Sequence, residues 1–179
     1  MITQIKGLHH VTSMAAHAQQ NSDFFTKKLG LRRVKKTVNF DAPDVYHLYY
    51  GDEFGTPGSV MTYFPFPNIA KGRQGAGEVG DTYFSVPKNT LDFWKNRLLA
   101  QNVSGLSESE VFGEKRLRFD GPDHETFSLI EVDGDGRTGW QHGDIAGSEA
   151  IQGFRGASLR LKDAAATGEL LRFMGYQKV

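Results

Sequence analysis

Residues 5–15, IKGLHHVTSMA, read as a β-strand, and the polar run AHAQQNSDFFTKKLG that follows sets Phe24, Phe25 and Leu29 at helical spacing. Gly30 stands where a helix C-terminus favours a left-handed residue. Three strand candidates come next, LRRVKKTVNF, VYHLYYG and GSVMTYFPF, divided by the turn-forming runs DAPD and DEFGTPG. The order is β-α-β-β-β, and it returns. GDTYFSVP reads as a strand, and NTLDFWKNRLLAQN as a helix with Asn89 or Thr90 near its N-cap and Phe93, Leu98 and Leu99 on its apolar side. SESEVFG, KRLRFDG and TFSLIEVD then read as strands, the first with the weakest pattern. Matching DFFTKKLG to DFWKNRLL sets the repeat at about 70 residues. A third unit opens with the strand FRGASLRLKD and the helix AAATGELLRFMG, ended by Gly175 as Gly30 ends the first helix, and YQKV begins another strand.

These patterns predict an α+β fold of tandem β-α-β-β-β modules with curved mixed sheets forming a cavity. The first module covers residues 1–68 and the second 79–133; the Gly-rich, polar stretch 134–151 is a linker, and 152–179 starts an incomplete third module. Such a unit buries one sheet face with its helix and needs a second sheet against its remaining apolar surface. The first two modules can cover each other. The third must pack on them, pair with another chain or continue in a longer protein, and a parent of four modules is the expectation.

Composition narrows the function classes. The 21 Lys and Arg residues balance 21 Asp and Glu, so no global field recruits nucleic acid or a membrane surface. KKLGLRRVKK reads as the solvated faces of a helix end and a strand. With no cysteine, disulfides, thiolate metal sites and cysteine nucleophiles are excluded. No apolar run approaches the roughly 18 residues of a membrane helix, and MITQIKGLHH carries no signal-peptide core. A soluble cytoplasmic protein is expected, with homo-oligomers left open.

His9 and His10 stand side by side in LHHVT. Adjacent strand residues face opposite sides, so the two cannot do the same job. The paired β-α-β-β-β architecture with a histidine in the first strand resembles the vicinal oxygen chelate superfamily, which includes glyoxalases, extradiol dioxygenases and fosfomycin-resistance proteins. GLHHVTSMA, DFFTKKLGLRRVKKTVNFD and YHLYYGDEFGTPGSVMTYFPFP are similar to the opening of bacterial hydroquinone ring-cleaving and quinone-resistance dioxygenases. The likeness covers essentially all 179 residues, since GFRGASLRL resembles their third module. It implies an Fe(II) centre, with Mn(II) as an alternative, held by the second histidine of the pair, here His10, and by a histidine and a glutamate from a fourth module. It also implies that His10 faces the cavity and His9 the opposite side. Two histidines and one carboxylate leave open positions for O₂ and a small aromatic substrate. The implied reaction inserts both oxygen atoms and cleaves a hydroquinone- or catechol-like ring.

Two-module members of the superfamily draw ligands from both modules. On that pattern the first-module carboxylate position is Thr62, the second-module histidine position falls at Asp81 or Thr82, and the last falls on Ser128; Glu131 has the opposite side-chain parity. Only His10 matches, so the chain alone is expected to be an incomplete, inactive portion unless Asp81 contributes. Thr12 shares the face of His10 and reads either as a group that orients substrate or ligated water, or as an ordinary strand residue. Asp52 reads either as a hydrogen-bonding partner around the site or as a turn residue, and His47 more as a satisfied sheet histidine than as a cavity residue. His17, His124 and His142 fall at a helix start, a turn and the linker. Tyr63, Phe64, Phe66 and Tyr83 could line an aromatic pocket or fill the core. DGDGRTGWQHGD lacks the ligand spacing of a calcium loop and reads as a mobile turn, and no Gly-rich run has the phosphate-cradling pattern. The alternatives are a non-catalytic small-molecule-binding module of the same fold, or a glyoxalase-like lyase or isomerase in which Asp81 and His10 share one metal.

Overall fold

The computed structural model describes residues 5–70 and 72–179; residues 1–4 of the expected first module lie outside them. The first sheet holds β1 (His10–Ala15), β2 (Arg32–Val38), β3 (Tyr46–Gly51) and β4 (Val60–Pro65) in the order β1-β4-β3-β2. The second holds β5 (Glu78–Pro87), β6 (Ser107–Val111), β7 (Glu114–Asp120), β8 (Thr126–Val132) and β9 (Gly153–Arg160) in the order β6-β7-β8-β5-β9. Both repeat one device: β1 pairs in parallel with β4, and β5 with β8. They differ at the edge. β9 lies antiparallel along β5, whereas β1 is itself an edge strand. SESEVFG does form a strand, as β6, while YQKV takes no regular structure. Among the described residues no helix is long and apolar enough to cross a membrane.

The helices are α1 (Ala18–Asp23), α2 (Leu91–Ala100) and α3 (Ala165–Phe173). α1 departs from expectation, because it runs directly into a π-helical turn, Phe24–Lys28, closed by the Leu29 N–H donating to the Phe24 carbonyl at 3.0 Å. Phe24 and Phe25 are both buried, together with Leu29 at the turn's end, as the apolar spacing expects. Gly30 has φ 69° and Gly175 φ 96°, the left-handed ends expected of them.

Those two rings join the sheets. Phe25 lies 5.0 Å, centroid to centroid, from both Tyr50 and Tyr63 of the first sheet and 5.7 Å from Phe127 of the second. Phe24 reaches Phe127 at 6.1 Å and Phe119 at 6.4 Å. Leu48, Met61, Phe84, Leu117 and Leu129 complete a single core with Trp94 and Leu98 of α2. Each fully buried side chain of this size contributes about 1.5–3 kcal/mol.

Polar contacts close the seam. A helix C-terminus leaves carbonyls without partners. The largely buried Arg97 of α2 donates through Nε to the Lys28 carbonyl at 2.9 Å, through one terminal nitrogen to the Lys27 carbonyl at 2.6 Å, and through the other to Asp144 at 2.5 Å. Lys28 returns the favour at the end of α2, its Nζ donating to the Gln101 carbonyl at 2.8 Å. At the start of α2, Thr90 turns its hydroxyl back to the Pro87 carbonyl (2.6 Å), and Glu131 of β8 accepts the Leu91 N–H at 3.1 Å. The expected local cap is therefore replaced by a side chain from the neighbouring strand. The 134–151 stretch contributes Ile145 and Ala150 to the core, and its Glu149 carbonyl accepts the Trp94 indole N–H at 2.8 Å. The run expected to be a mobile turn is pinned: Arg137 donates to Asp135 (2.6 Å), to the Ser85 hydroxyl (3.0 Å) and to the Phe154 carbonyl (3.1 Å). That guanidinium holds the Asp135 carboxyl down at about 2.

Replacing Arg97 with Met should cost roughly 2–3 kcal/mol in urea unfolding, since hydrogen bonds from a charged donor to otherwise unpaired carbonyls are lost. Lys88→Met breaks only the exposed pair with Asp133 and should cost under about 0.5 kcal/mol. Equal losses would contradict the capping role of Arg97.

Candidate functional site

One face of each sheet is spent on the core, so the outward faces carry the remaining chemistry. On the first sheet, Val11 packs toward the core while His10, Thr12 and Met14 alternate away from it and are exposed. Register fixes their neighbours. Thr12 stands opposite Thr62, Thr62 opposite Tyr49, and Tyr49 opposite Lys35; Met14 stands opposite Phe64. His10, Thr12, Thr62, Phe64, Tyr49 and His47 therefore share one face.

The polar groups on this face are linked in pairs. The Thr12 and Thr62 hydroxyls are 2.8 Å apart, and Thr62 is buried. The Tyr49 hydroxyl lies 2.8 Å from His47 Nδ1. The His47 ring sits against Tyr49 and Phe64, with centroids at 4.1 and 4.0 Å. Its Nε2 is buried and without a hydrogen-bond partner. Burial lowers the His47 pKa, helped by electrostatic interaction with His10 and Lys35, and burial also raises that of Tyr49. His47 is thus held toward its neutral form, with one ring nitrogen engaged and the other unspent.

His9 does not turn to the opposite side, and that expectation is corrected. The strand begins at His10, so the pleat's alternation does not extend back to His9. The two Nδ1 atoms lie 3.1 Å apart with the rings nearly perpendicular, at 85°. One imidazole N–H donates to the other, which leaves His10 Nε2 as the nitrogen a metal could take. The Gly58 N–H fixes the His9 carbonyl at 2.7 Å. Asp52 organises the loop that carries Gly58, its Oδ1 accepting the Phe54 and Thr56 N–H groups at 3.1 and 2.9 Å. Burial works to raise the Asp52 pKa, but hydrogen bonds from Thr56, Phe54 and Gly55 outweigh it and hold the carboxyl below its ordinary value.

The other candidates divide. Tyr63 belongs to the core, its hydroxyl donating to Glu125 at 2.7 Å, and burial pushes the Glu125 pKa up. Tyr83 lies on the outward face of the second sheet beneath Arg116, whose guanidinium carbon is 4.9 Å from its ring centroid. Phe66 is half-buried after β4, and His17 precedes α1. Asp81 lies on β5, accepting the Ser128 hydroxyl at 2.9 Å, and so belongs to a different sheet from His10. Among the described residues no three His, Cys, Asp or Glu side chains converge as a metal site. His47 and Tyr49 were the functional candidates least visible beforehand: only the β3–β4 register sets them beside Thr62 and Phe64.

No family model matches the chain. It is 46% identical over 175 residues to MhqE of Bacillus subtilis strain 168 and 40% identical over 180 residues to MhqO of the same organism, both named as candidate ring-cleaving dioxygenases. These matches cover 97% and 100% of this chain and 57% of each relative. It is also 38% identical over 155 residues to the chlorohydroquinone/hydroquinone 1,2-dioxygenase of Sphingobium indicum, covering 84% of this chain and 48% of that one. The chain thus spans about half the length of these relatives. The crystal structure of a candidate dioxygenase from Bacillus subtilis superposes with a TM-score of 0.93 at 41% identity, over 97% of this chain and 56% of that one. A glyoxylase/bleomycin resistance protein/dioxygenase domain from Frankia sp. EAN1pec shares the fold, with a TM-score of 0.60 at 14% identity over 73% of this chain and all of that one.

The depressed His47 pKa has a definite sign. A histidine held neutral in the folded state adds stability above its unfolded pKa of about 6.5, and that contribution is lost as pH falls through the folded value. NMR titration should place the His47 midpoint below about 6.5, and His47→Phe should flatten the loss of stability between neutral and mildly acidic pH. A midpoint at or above the ordinary histidine value would contradict the buried, neutral assignment.

Proposed function

The chain belongs to the vicinal oxygen chelate superfamily, and from that premise we propose that it is the portion of a non-haem ring-cleaving dioxygenase that contributes His10 to the metal centre and an aromatic wall to the substrate site. The observation that carries this reading is the shared face: His10 stands beside the Thr12–Thr62 hydroxyl pair and on the same sheet surface as His47, Tyr49 and Phe64. The likeness to dioxygenases over nearly the whole chain supports it.

The residues described here do not make a complete metal cage. His10 is one donor, and a ferrous iron, or Mn(II) in its place, would take its other donors from the additional length that the relatives possess. What these residues can do themselves is bind and orient. A flat phenolic ring has Phe64 and Tyr49 to lie against, and aromatic pairs are worth about 0.5–1.5 kcal/mol beyond burial. Thr12 offers a hydroxyl beside His10. His47, its ring packed between Tyr49 and Phe64 and its Nδ1 against the Tyr49 hydroxyl, holds that wall in place. Asp52 acts at one remove, through the loop whose Gly58 holds the backbone of His9. The substrate is a hydroquinone- or catechol-like aromatic, consumed with O₂ in the cytoplasm.

The test uses the four-module protein loaded with Fe(II). His10→Ala should reduce hydroquinone-dependent O₂ uptake to background while circular dichroism stays unchanged. Asp52→Ala should lower kcat roughly 10- to 100-fold by loosening the loop. Full activity in His10→Ala, or turnover by the 179-residue chain alone matching the longer protein, would overturn the reading. Stoichiometric binding of hydroquinone without turnover would favour a binding module instead.

A further inference from the structure

The outward face of β1 carries one more group, Met14, which the metal and substrate chemistry proposed above does not use. It follows His10 and Thr12 at the same parity, so all three share that face. The register sets it opposite Phe64, whose ring centroid lies 4.0 Å from that of His47. Met14 is 58% exposed. The other described methionines sit differently. Met61, one position before Thr62 on β4, is 2% exposed and belongs to the core, and Met174 is half-buried at the end of α3.

A thioether sulfur has a lone pair that peroxides attack. Hydrogen peroxide passes one oxygen to the sulfur, its O–O bond breaks, and water leaves; the methionine becomes its sulfoxide. The proposed substrates generate this oxidant themselves. A hydroquinone that meets O₂ in solution gives up two electrons and two protons, leaving the quinone and hydrogen peroxide. Exposure decides which methionine reacts, and burial decides what the product does. At Met61 the sulfoxide dipole would have to enter the core, where it has no water to meet it. At Met14 it stays in water, so the fold tolerates it while the face beside it changes. A flexible apolar side chain becomes a polar acceptor opposite Phe64, at the next same-face rung after the Thr12–Thr62 pair. One hydroxyl of that pair donates to the other, and the remaining O–H is left to donate.

We propose that Met14 is a site of reversible oxidation by peroxide, and that its sulfoxide alters the Phe64–His47 wall without unfolding the protein. The modification itself needs no metal; its bearing on substrate binding rests on the function proposed above.

The test exposes the metal-free 179-residue protein to hydrogen peroxide, removes the excess, and follows each methionine by peptide mass. Met14 should gain one oxygen at least about tenfold faster than Met61, and faster than Met174. Circular dichroism should stay unchanged, the NMR ring signals of Phe64 and His47 should shift, and methionine sulfoxide reductase should return both the mass and the shifts. Met14→Leu, which keeps an apolar side chain without the sulfur, should leave Phe64 and His47 unmoved by peroxide. Oxidation of Met61 or Met174 as fast as of Met14 would overturn the proposal. So would shifts that persist in peroxide-treated Met14→Leu, or an oxidised Met14 that leaves Phe64 and His47 where they were. None of these readouts uses iron or turnover, so they stand or fall apart from the His10→Ala test.

Discussion

A sheet has two faces, and in this protein one aromatic core takes one face from each of two sheets. Phe24 and Phe25, carried on a π-helical turn, touch rings of both. Everything else follows from that constraint. Strand residues must alternate between this core and the outward surfaces, so chemistry can reside only at every second position. His10 and Thr12 on β1, and Asp81 and Tyr83 on β5, occupy those positions.

Paired strands explain how the two outward faces came to differ. Both sheets are built on the same parallel pair, but β5 carries β9 on its outer edge and β1 is an edge. β9 is held in place at its start, where the Phe154 N–H donates to the Gly58 carbonyl at 2.7 Å and Arg137 bridges the same corner. Gly153, at φ 141°, leaves room there that a side chain would fill with clashes against Arg137 and the Gly58 carbonyl. One loop thus serves both faces: through Gly58 it fixes the backbone of His9 on one side and the first residues of β9 on the other.

Much of this was legible in the chain. The order of strands and helices followed from local period and turn residues, and the face shared by His10 and Thr12 followed from parity alone. What was not legible needed partners distant in sequence. Nothing local reveals that Glu131 caps α2, or that Arg97 closes the end of the π-turn. Phe24, Phe25 and Leu29 were read at helical spacing, and nothing in that spacing marks the turn as π-helical rather than α-helical. His9 escaped because strand alternation was extended one residue past the strand's true start. His47 looked like an ordinary sheet histidine until the β3–β4 register set its ring against Phe64. Asp81 was weighed as a metal ligand, but it lies on the second sheet, and Arg116 and Arg118 of β7, whose charges act on it, could not be placed beside it in advance.

If the outward face of the first sheet contributes to a metal centre, as proposed, His10 is the donor there. An anomalous-difference map from crystals of the full-length protein grown with Mn(II) tests this directly. A single strong peak is expected within bonding distance of His10 Nε2, on the Thr12 side of β1. A peak enclosed entirely by other residues, with His10 making no bond to it, would contradict it.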